Sequence, residues 1–164
     1  MVRGAYSFAR VPIATVATVA AELQALAERE YEEVGQKNLA GLNVDWDRYR
    51  ELDAAGNLAT FVVKRGHGNA GRIVGYSVFV VQTHIHYRYA LVAANSAVYV
   101  APEARAGRIV LKLLRYAEIG LEAQGVRKIY YHVKRERDFG PLLAHLGYED
   151  AERMFAKVLG GEEG

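Results

Sequence analysis

Two arginines stand where a long helix should begin. Residues 96–125 read SAVYVAPEARAGRIVLKLLRYAEIGLEAQG. An apolar strand, 97–100, runs through one proline into Ala104-Arg105-Ala106-Gly107-Arg108, and an amphipathic helix follows at once. A helix start presents free backbone N–H groups and the positive end of the helix dipole. Exposed cations placed there cost roughly 0.3–1 kcal/mol each. Backbone donors, dipole and two guanidiniums on one spot suit an anion, most simply a phosphate. The plainer alternative is a solvated basic helix start. Histidines offer a second kind of chemistry. His132 lies on a short alternating strand, where an imidazole could accept a proton from an amine. His84 and His86 are two apart at a strand end. They could ligate a metal, although no third ligand is evident and no metal is expected, or they could line the substrate side of a hairpin.

The elements that must position these groups follow from hydrophobic spacing. A strand is expected over 6–12, closed by Pro12. Val16, Val19, Ala20, Leu23, Leu26 and Ala27 recur at three and four, which predicts a helix over 13–34, capped by Thr15 or Thr18. After a loop over 35–44, Asp45 caps a second helix over 46–55, with Trp46, Tyr49 and Leu52 on one stripe. Strands are expected over 58–64, 72–85 and 90–100, the first two joined by the glycine-rich stretch 65–71. The long helix covers 107–124. A strand over 128–134, a short helix over 139–146 capped by Asp138, and a final strand over 153–159 complete the chain. The order β-α-α-β-β-β-α-β-α-β predicts an α+β fold: a mixed, mostly antiparallel sheet of six to seven strands with helices on both faces.

The bulk properties narrow the function classes. The chain has 164 residues, which suits one domain over 1–160 and a polar tail at 161–164. With 21 Lys and Arg against 19 Asp and Glu the net charge is +2, too balanced to argue for a nucleic-acid partner. The absence of cysteine excludes disulfides, cysteine-ligated zinc and thiol catalysis, and accords with a reducing cytoplasm. No run of about 18 apolar residues suggests a membrane span, and no membrane partner is expected. The 11 tyrosines accord with strand content.

The order of elements, with Val100-Ala101-Pro102-Glu103-Ala104-Arg105 leading into Leu113-Leu114-Arg115-Tyr116-Ala117-Glu118, resembles the GNAT acyl-CoA-dependent N-acetyltransferases. Pro141-Leu142-Leu143-Ala144-His145-Leu146-Gly147-Tyr148 is similar to that family's last helix and its "L-G-F/Y" ending. The arginine at 108 and the stretch 138–143 look like those of phage-encoded and proteobacterial members. The resemblance implies that acetyl-CoA is the donor. Its pyrophosphate would meet Arg105, Ala106, Gly107, Arg108, Ile109 and Val110. Its pantetheine arm would pair with Val98, Tyr99 and Val100, and a splay between that strand and 129–133 would admit the thioester. The family's loop is R-G-x-G-x-G/A; here the second glycine is Arg108, the last small residue is Val110, and Gly107 is one place out of register.

Acetyl transfer needs a base for the amine, stabilisation of the thioester oxygen and a route out for the thiolate. The tyrosine that many family members place on the last helix is Leu143 here, and no carboxylate lies within 90–100, where many place a glutamate. Candidates therefore come from elsewhere. His132 is the first candidate base. Alternation puts Asn95 and Tyr99 on one strand face, where Tyr99 could hydrogen-bond substrate or fill the core. Glu103 could act as a base or pair with Arg105. Trp46 and Tyr49 would lie over the acceptor or pack ordinarily, and Tyr148 would pack. With His84, His86, Asn95 and Trp46 as substrate contacts, the expectation is a cytoplasmic acyltransferase moving acetyl from acetyl-CoA to an amine by direct attack. The amine would belong to a small molecule or a protein, and a homodimer is common in the family. The alternatives are an acyl-CoA-binding module with little turnover, or a protein-interaction domain on the same fold.

Overall fold

The computed structural model describes residues 4–13 and 17–160. In chain order these form β1 (Tyr6–Arg10), α1 (Ala17–Val34), α2 (Trp46–Ala54), β2 (Leu58–Arg65), β3 (Arg72–His84), β4 (Tyr87–Val100), α3 (Ile109–Ala123), β5 (Lys128–Tyr130) and α4 (Gly140–His145). The sheet runs β1-β2-β3-β4-β5, antiparallel as far as β4. α3 then crosses over and delivers β5 parallel to β4. A parallel neighbour requires such a crossover.

Each face of the sheet is closed by the helices its sequence prepares. On one side Leu23 and Leu26 of α1 meet Val62, Tyr76 and Tyr99, with Trp46, Tyr49 and Leu52 of α2 beside them. On the other, Leu113, Ala117 and Leu121 of α3 pack on Phe61, Phe79 and Ala93. β2, covered on both sides, is buried from Leu58 to Val63. α2 starts where Asp45 accepts the Arg48 N–H at 2.9 Å, as its cap position requires. Asp138 takes the Gly140 N–H at 2.8 Å ahead of α4. Of the two threonines expected to cap α1, Thr15 lies outside the described residues, as does the side chain of Thr18; the tail at 161–164 lies outside them too.

Three expectations are corrected. The described residues form five strands, not six or seven, and the order ends on α4. Residues 153–159 alternate as a strand would, yet they make no backbone ladder, and Met154, Phe155 and Leu159 are 71%, 88% and 82% exposed. Alternation gives a strand only where an edge supplies hydrogen bonds, and this segment forms no ladder with any of the described strands. The strand expected over 128–134 pairs only at Lys128–Tyr130, opposite Val92, Ala93 and Ala94. Beyond that point residues 131–134 part from β4, so the backbone of residues 95–100 has no strand partner on the side away from β3. Finally, Asn95 and Tyr99 do not share a face. Asn95 opposes Phe79 and Ala97 opposes Val78, leaving Ser96 as the extra residue of a β-bulge. The bulge resets the alternation: Leu91 and Ala93 pack toward α3, whereas Ala97 and Tyr99 pack toward α1.

Candidate active site

The stretch of β4 after the bulge is flanked by two hollows. The larger, of about 300 Å³, lies between α1, the 35–44 loop, α2 and the sheet; Ser96 and Ala97 form part of its wall. The smaller, of about 200 Å³, lies between Val98 and Val100 of β4, Arg105, Val110 of α3 and residues 137–142. The two are therefore one residue apart on β4 (Ala97 against Val98) and three apart on the opposite segment, where Lys134 lines the first and Arg137 the second. This junction lies beside the place where residues 131–134 part from β4.

The larger hollow is apolar but holds a carboxylate. Glu30 occupies the position of α1 four residues after Leu26 and seven after Leu23, so it continues the buried stripe. The Tyr76 hydroxyl donates to its Oε2 at 2.7 Å, while Oε1 makes no hydrogen bond among the described residues. Burial pushes the Glu30 carboxyl above the usual carboxylate range, opposed by the Tyr76 hydrogen bond and by Lys134. Burial and the adjoining Glu30 push Tyr76 up as well. Lys134 Nζ donates to the Val34 carbonyl at 3.0 Å, at the negative end of α1. Trp46 donates to Gln24 Oε1 at 2.7 Å, and the Tyr49 and Ser96 hydroxyls bond at 2.6 Å, which ties α2 to the bulge. Burial raises Tyr49, with the Ser96 hydrogen bond working against it.

A second carboxylate, Glu33, organises the smaller hollow. Arg105 donates from Nη2 to both its oxygens, at 2.8 and 3.1 Å, and from Nε to the Val100 carbonyl at 2.8 Å. The buried Tyr99 hydroxyl adds a hydrogen bond to Glu33 Oε1 at 2.9 Å. Burial alone would raise Glu33, but the hydrogen bonds from Arg105 and Tyr99 outweigh it and hold the carboxyl below its ordinary value. Arg137 completes the group, 3.6 Å from Glu33, and the Arg105 and Arg137 guanidiniums lie 5.5 and 4.7 Å from the Tyr99 ring centre. Arg137 Nη1, the atom nearest Glu33, is buried with no hydrogen bond among the described residues. The loop beyond is open. Gly107 has φ +72, where a side chain would strain the backbone. The first bond of α3 is Lys112 N–H to the Arg108 carbonyl at 2.8 Å, and no side chain caps the helix. The N–H groups of Ile109, Val110 and Leu111 thus lack intrahelical partners.

Crystal structures with this architecture are numerous. An aminoglycoside acetyltransferase from an uncultured soil metagenomic sample, in complex with sisomicin, aligns with a TM-score of 0.68 at 17% identity over 93% of each chain. A ribosomal-protein-alanine N-acetyltransferase from Brucella melitensis biovar Abortus 2308 aligns at 0.67 and 15%, covering 96% of this chain and all of its own (100%). A predicted acetyltransferase with acetyl-CoA from Clostridium acetobutylicum aligns at 0.65 and 11%, over 94% and 97%. The fold is that of the GNAT acetyltransferases. No protein-family model matches the chain, nor does any curated protein at the level of sequence.

On this GNAT fold the residues singled out from sequence are dispersed. Val98, Val100, Arg105 and Val110 meet around the smaller hollow, and Trp46 and Tyr49 around the larger. Ala106, Gly107 and Arg108 are exposed at the open start of α3. Tyr99 is buried and directed to Glu33 rather than into either hollow. Glu103 does not pair with Arg105: Arg29 takes both its oxygens, at 2.9 and 2.8 Å, and holds the carboxyl down at about 2. His132 is exposed; its backbone N–H and carbonyl are bridged by the Asn95 amide, which spans the parting strands. His84 and His86 form the tip of the β3–β4 hairpin, six or more residues beyond Val78, or roughly 20 Å along the strand. Neither lines a hollow, and among the described residues no three His, Asp or Glu side chains gather as metal ligands. Leu143 is 6% exposed and packs with Val98 and Leu114; Tyr148 stacks edge-on against Tyr131. Sequence reasoning missed Glu30, Glu33, Tyr76, Lys134 and Arg137. Only Glu30 left a signal, a carboxylate on an apolar stripe.

Proposed function

We propose that the protein transfers an acetyl group from acetyl-CoA to an amine by direct attack. The observation that carries this reading is the junction of the two hollows along Ser96–Val100. A donor thioester lying in one would face an acceptor amine lying in the other, and bringing two reactants together in this way supplies much of an enzyme's rate. The smaller hollow suits the donor. An extended amide-bearing arm needs a strand edge, which residues 95–99 offer on the side away from β3, and Arg137 Nη1, 3.6 Å from Glu33 but with no hydrogen bond among the described residues, has room for an acceptor. Phosphates need a positive pole, which the uncapped start of α3 and the exposed Arg108 offer.

Glu30 suits the role of base, in place of His132 and Glu103. Its raised carboxyl is a better proton acceptor than the depressed carboxyl of Glu103, and it lines the acceptor hollow, which His132 does not. The amine, freed of one proton by Glu30, forms the new C–N bond at the thioester carbon and gives up its second N–H proton to water. The C–S bond breaks, the electron pair leaves on sulfur, and water returns a proton to the thiolate. No side chain at Leu143 is needed for that last step.

The test is thiol release from acetyl-CoA in the presence of amines. Wild type should turn over, with a rate that climbs as pH rises through the elevated Glu30 pKa. Glu30→Gln should lower kcat by roughly 10²–10⁴-fold and flatten that climb. Undiminished turnover in Glu30→Gln would remove Glu30 as the base. Tight acetyl-CoA binding without turnover for any amine would favour the carrier or sensor alternative.

A further inference from the structure

We propose that the larger hollow selects a small monocationic amine carried on an aromatic or alkyl body, and does not select a polycationic aminosugar or a phosphorylated sugar. The inference rests on the reading of that hollow as the acceptor site. Its walls argue the class. Leu23, Leu42, Trp46 and Tyr49 give it apolar and aromatic surfaces, and Tyr76 contributes another ring. The Tyr49 hydroxyl is already bonded to Ser96 and the Tyr76 hydroxyl to Glu30, so both rings are presented mainly as surface. Such walls reward an apolar ligand body, and apart from Glu30 and Lys134 the amide side chains offered to a hydroxyl-rich ring are Gln36 and Asn43.

Charge argues the same way. Among the described residues lining the hollow there is one carboxylate, Glu30, and one ammonium, Lys134. Glu30 has one oxygen committed to Tyr76 and the other without a hydrogen bond among the described residues, which is room for a single ligand ammonium. Glu33, three residues on, is not a second anionic contact, since Arg105 and Tyr99 occupy it. Several cationic amines would find one counter-charge and the repulsion of Lys134. A ligand phosphate would find only Lys134, already bonded to the Val34 carbonyl, and would face Glu30 as a like charge. Volume agrees. About 300 Å³ is space enough for a one-ring amine.

The chain's single tryptophan is Trp46, so its fluorescence reports this hollow alone. The experiment titrates the full chain with phenethylamine, with phenethyl alcohol as the uncharged counterpart of the same shape, and with sisomicin and glucosamine 6-phosphate. Phenethylamine should quench or shift Trp46 at a concentration at least tenfold below that of phenethyl alcohol and below both sugars. Glu30→Gln should bring the amine and the alcohol to within about twofold of each other. Equal binding of amine and alcohol to wild type, or tighter binding of either sugar, overturns the proposal. If Glu30→Gln does not fold, the wild-type comparison decides alone. Calorimetry with acetyl-CoA alongside keeps the two readings separate. Donor binding without amine discrimination overturns the substrate class only. Amine discrimination without donor binding overturns the acetyl-transfer reading and leaves the amine site standing.

Discussion

The two arginines at the start of α3 should fail in opposite ways. Arg105 is built into the fold. Replacing it with alanine removes the ion pair to Glu33, the Nε hydrogen bond to the Val100 carbonyl and the contact with the Tyr99 ring. The two ion-pair side chains are 33% and 31% exposed, so solvent screening limits that pair to about 1 kcal/mol. The charge-assisted hydrogen bond to a backbone carbonyl contributes about 1.5 kcal/mol, and the ring contact about 0.5 kcal/mol. Arg137 stays 3.6 Å from Glu33 and keeps its carboxylate from being abandoned, which holds the expected loss for Arg105→Ala to about 2–3 kcal/mol. For a domain of this size that is a fall in Tm of about 5–10 °C. Arg108 is exposed, with no ion pair among the described residues, so Arg108→Ala should move stability by less than about 0.5 kcal/mol. It should instead weaken acetyl-CoA binding about tenfold, the equivalent of one charge-assisted phosphate contact. Thermal melts and calorimetry on the two variants are the assay, with a double-mutant cycle of Arg105→Ala against Glu33→Gln. A coupling near zero, or two variants with the same profile, would refute this division of labour.

Two further outcomes concern stability. Arg29 holds Glu103 at about 2 in the folded chain against an ordinary value of 4.5, so the pair's contribution is complete above pH 4.5 and is lost as pH falls toward 2. The partners are 46% and 50% exposed, which limits the effect to about 1 kcal/mol. Glu103→Gln should flatten that part of an acid-denaturation curve, and an unchanged acid limb would contradict the assignment. At Gly120 α3 lies close against the sheet: an added Cβ would lie 2.6 Å from Phe61 Cε1. The Phe61 ring is hemmed in by Phe79 and Tyr116, so Gly120→Val should cost about 1–3 kcal/mol in denaturant unfolding, whereas tolerance of valine would mean α3 sits further out.

Local chemistry made most of the elements legible in the sequence. The three-and-four spacing of Leu23 and Leu26, the cap at Asp45, and the proline, glycine and arginine ahead of α3 all act within a few residues, and each stands where it was expected. Long-range pairing did not show. Glu103 and Arg29 are 74 residues apart, and Glu33 and Arg105 are 72 apart, so neither partnership leaves a mark in local spacing. The bulge at Ser96 is invisible to alternation, because one extra residue exchanges the faces of everything after it. That single residue separates Asn95 from Tyr99, and it presents Ser96 and Ala97 side by side to the larger hollow. The pattern over 153–159 is a true alternation that forms no ladder. Glu30 was readable in principle, since a carboxylate at the fourth position after Leu26 conflicts with burial and such conflicts gather at functional sites.

Acetyl-CoA binding, measured by isothermal calorimetry with coenzyme A and dephospho-CoA as comparators, tests the central claim most directly. Micromolar affinity for acetyl-CoA, weakened in dephospho-CoA and in Arg108→Ala, is the result expected of a donor seated between β4 and the start of α3. No heat of binding at millimolar ligand would contradict the account and turn attention to a protein partner for the same fold.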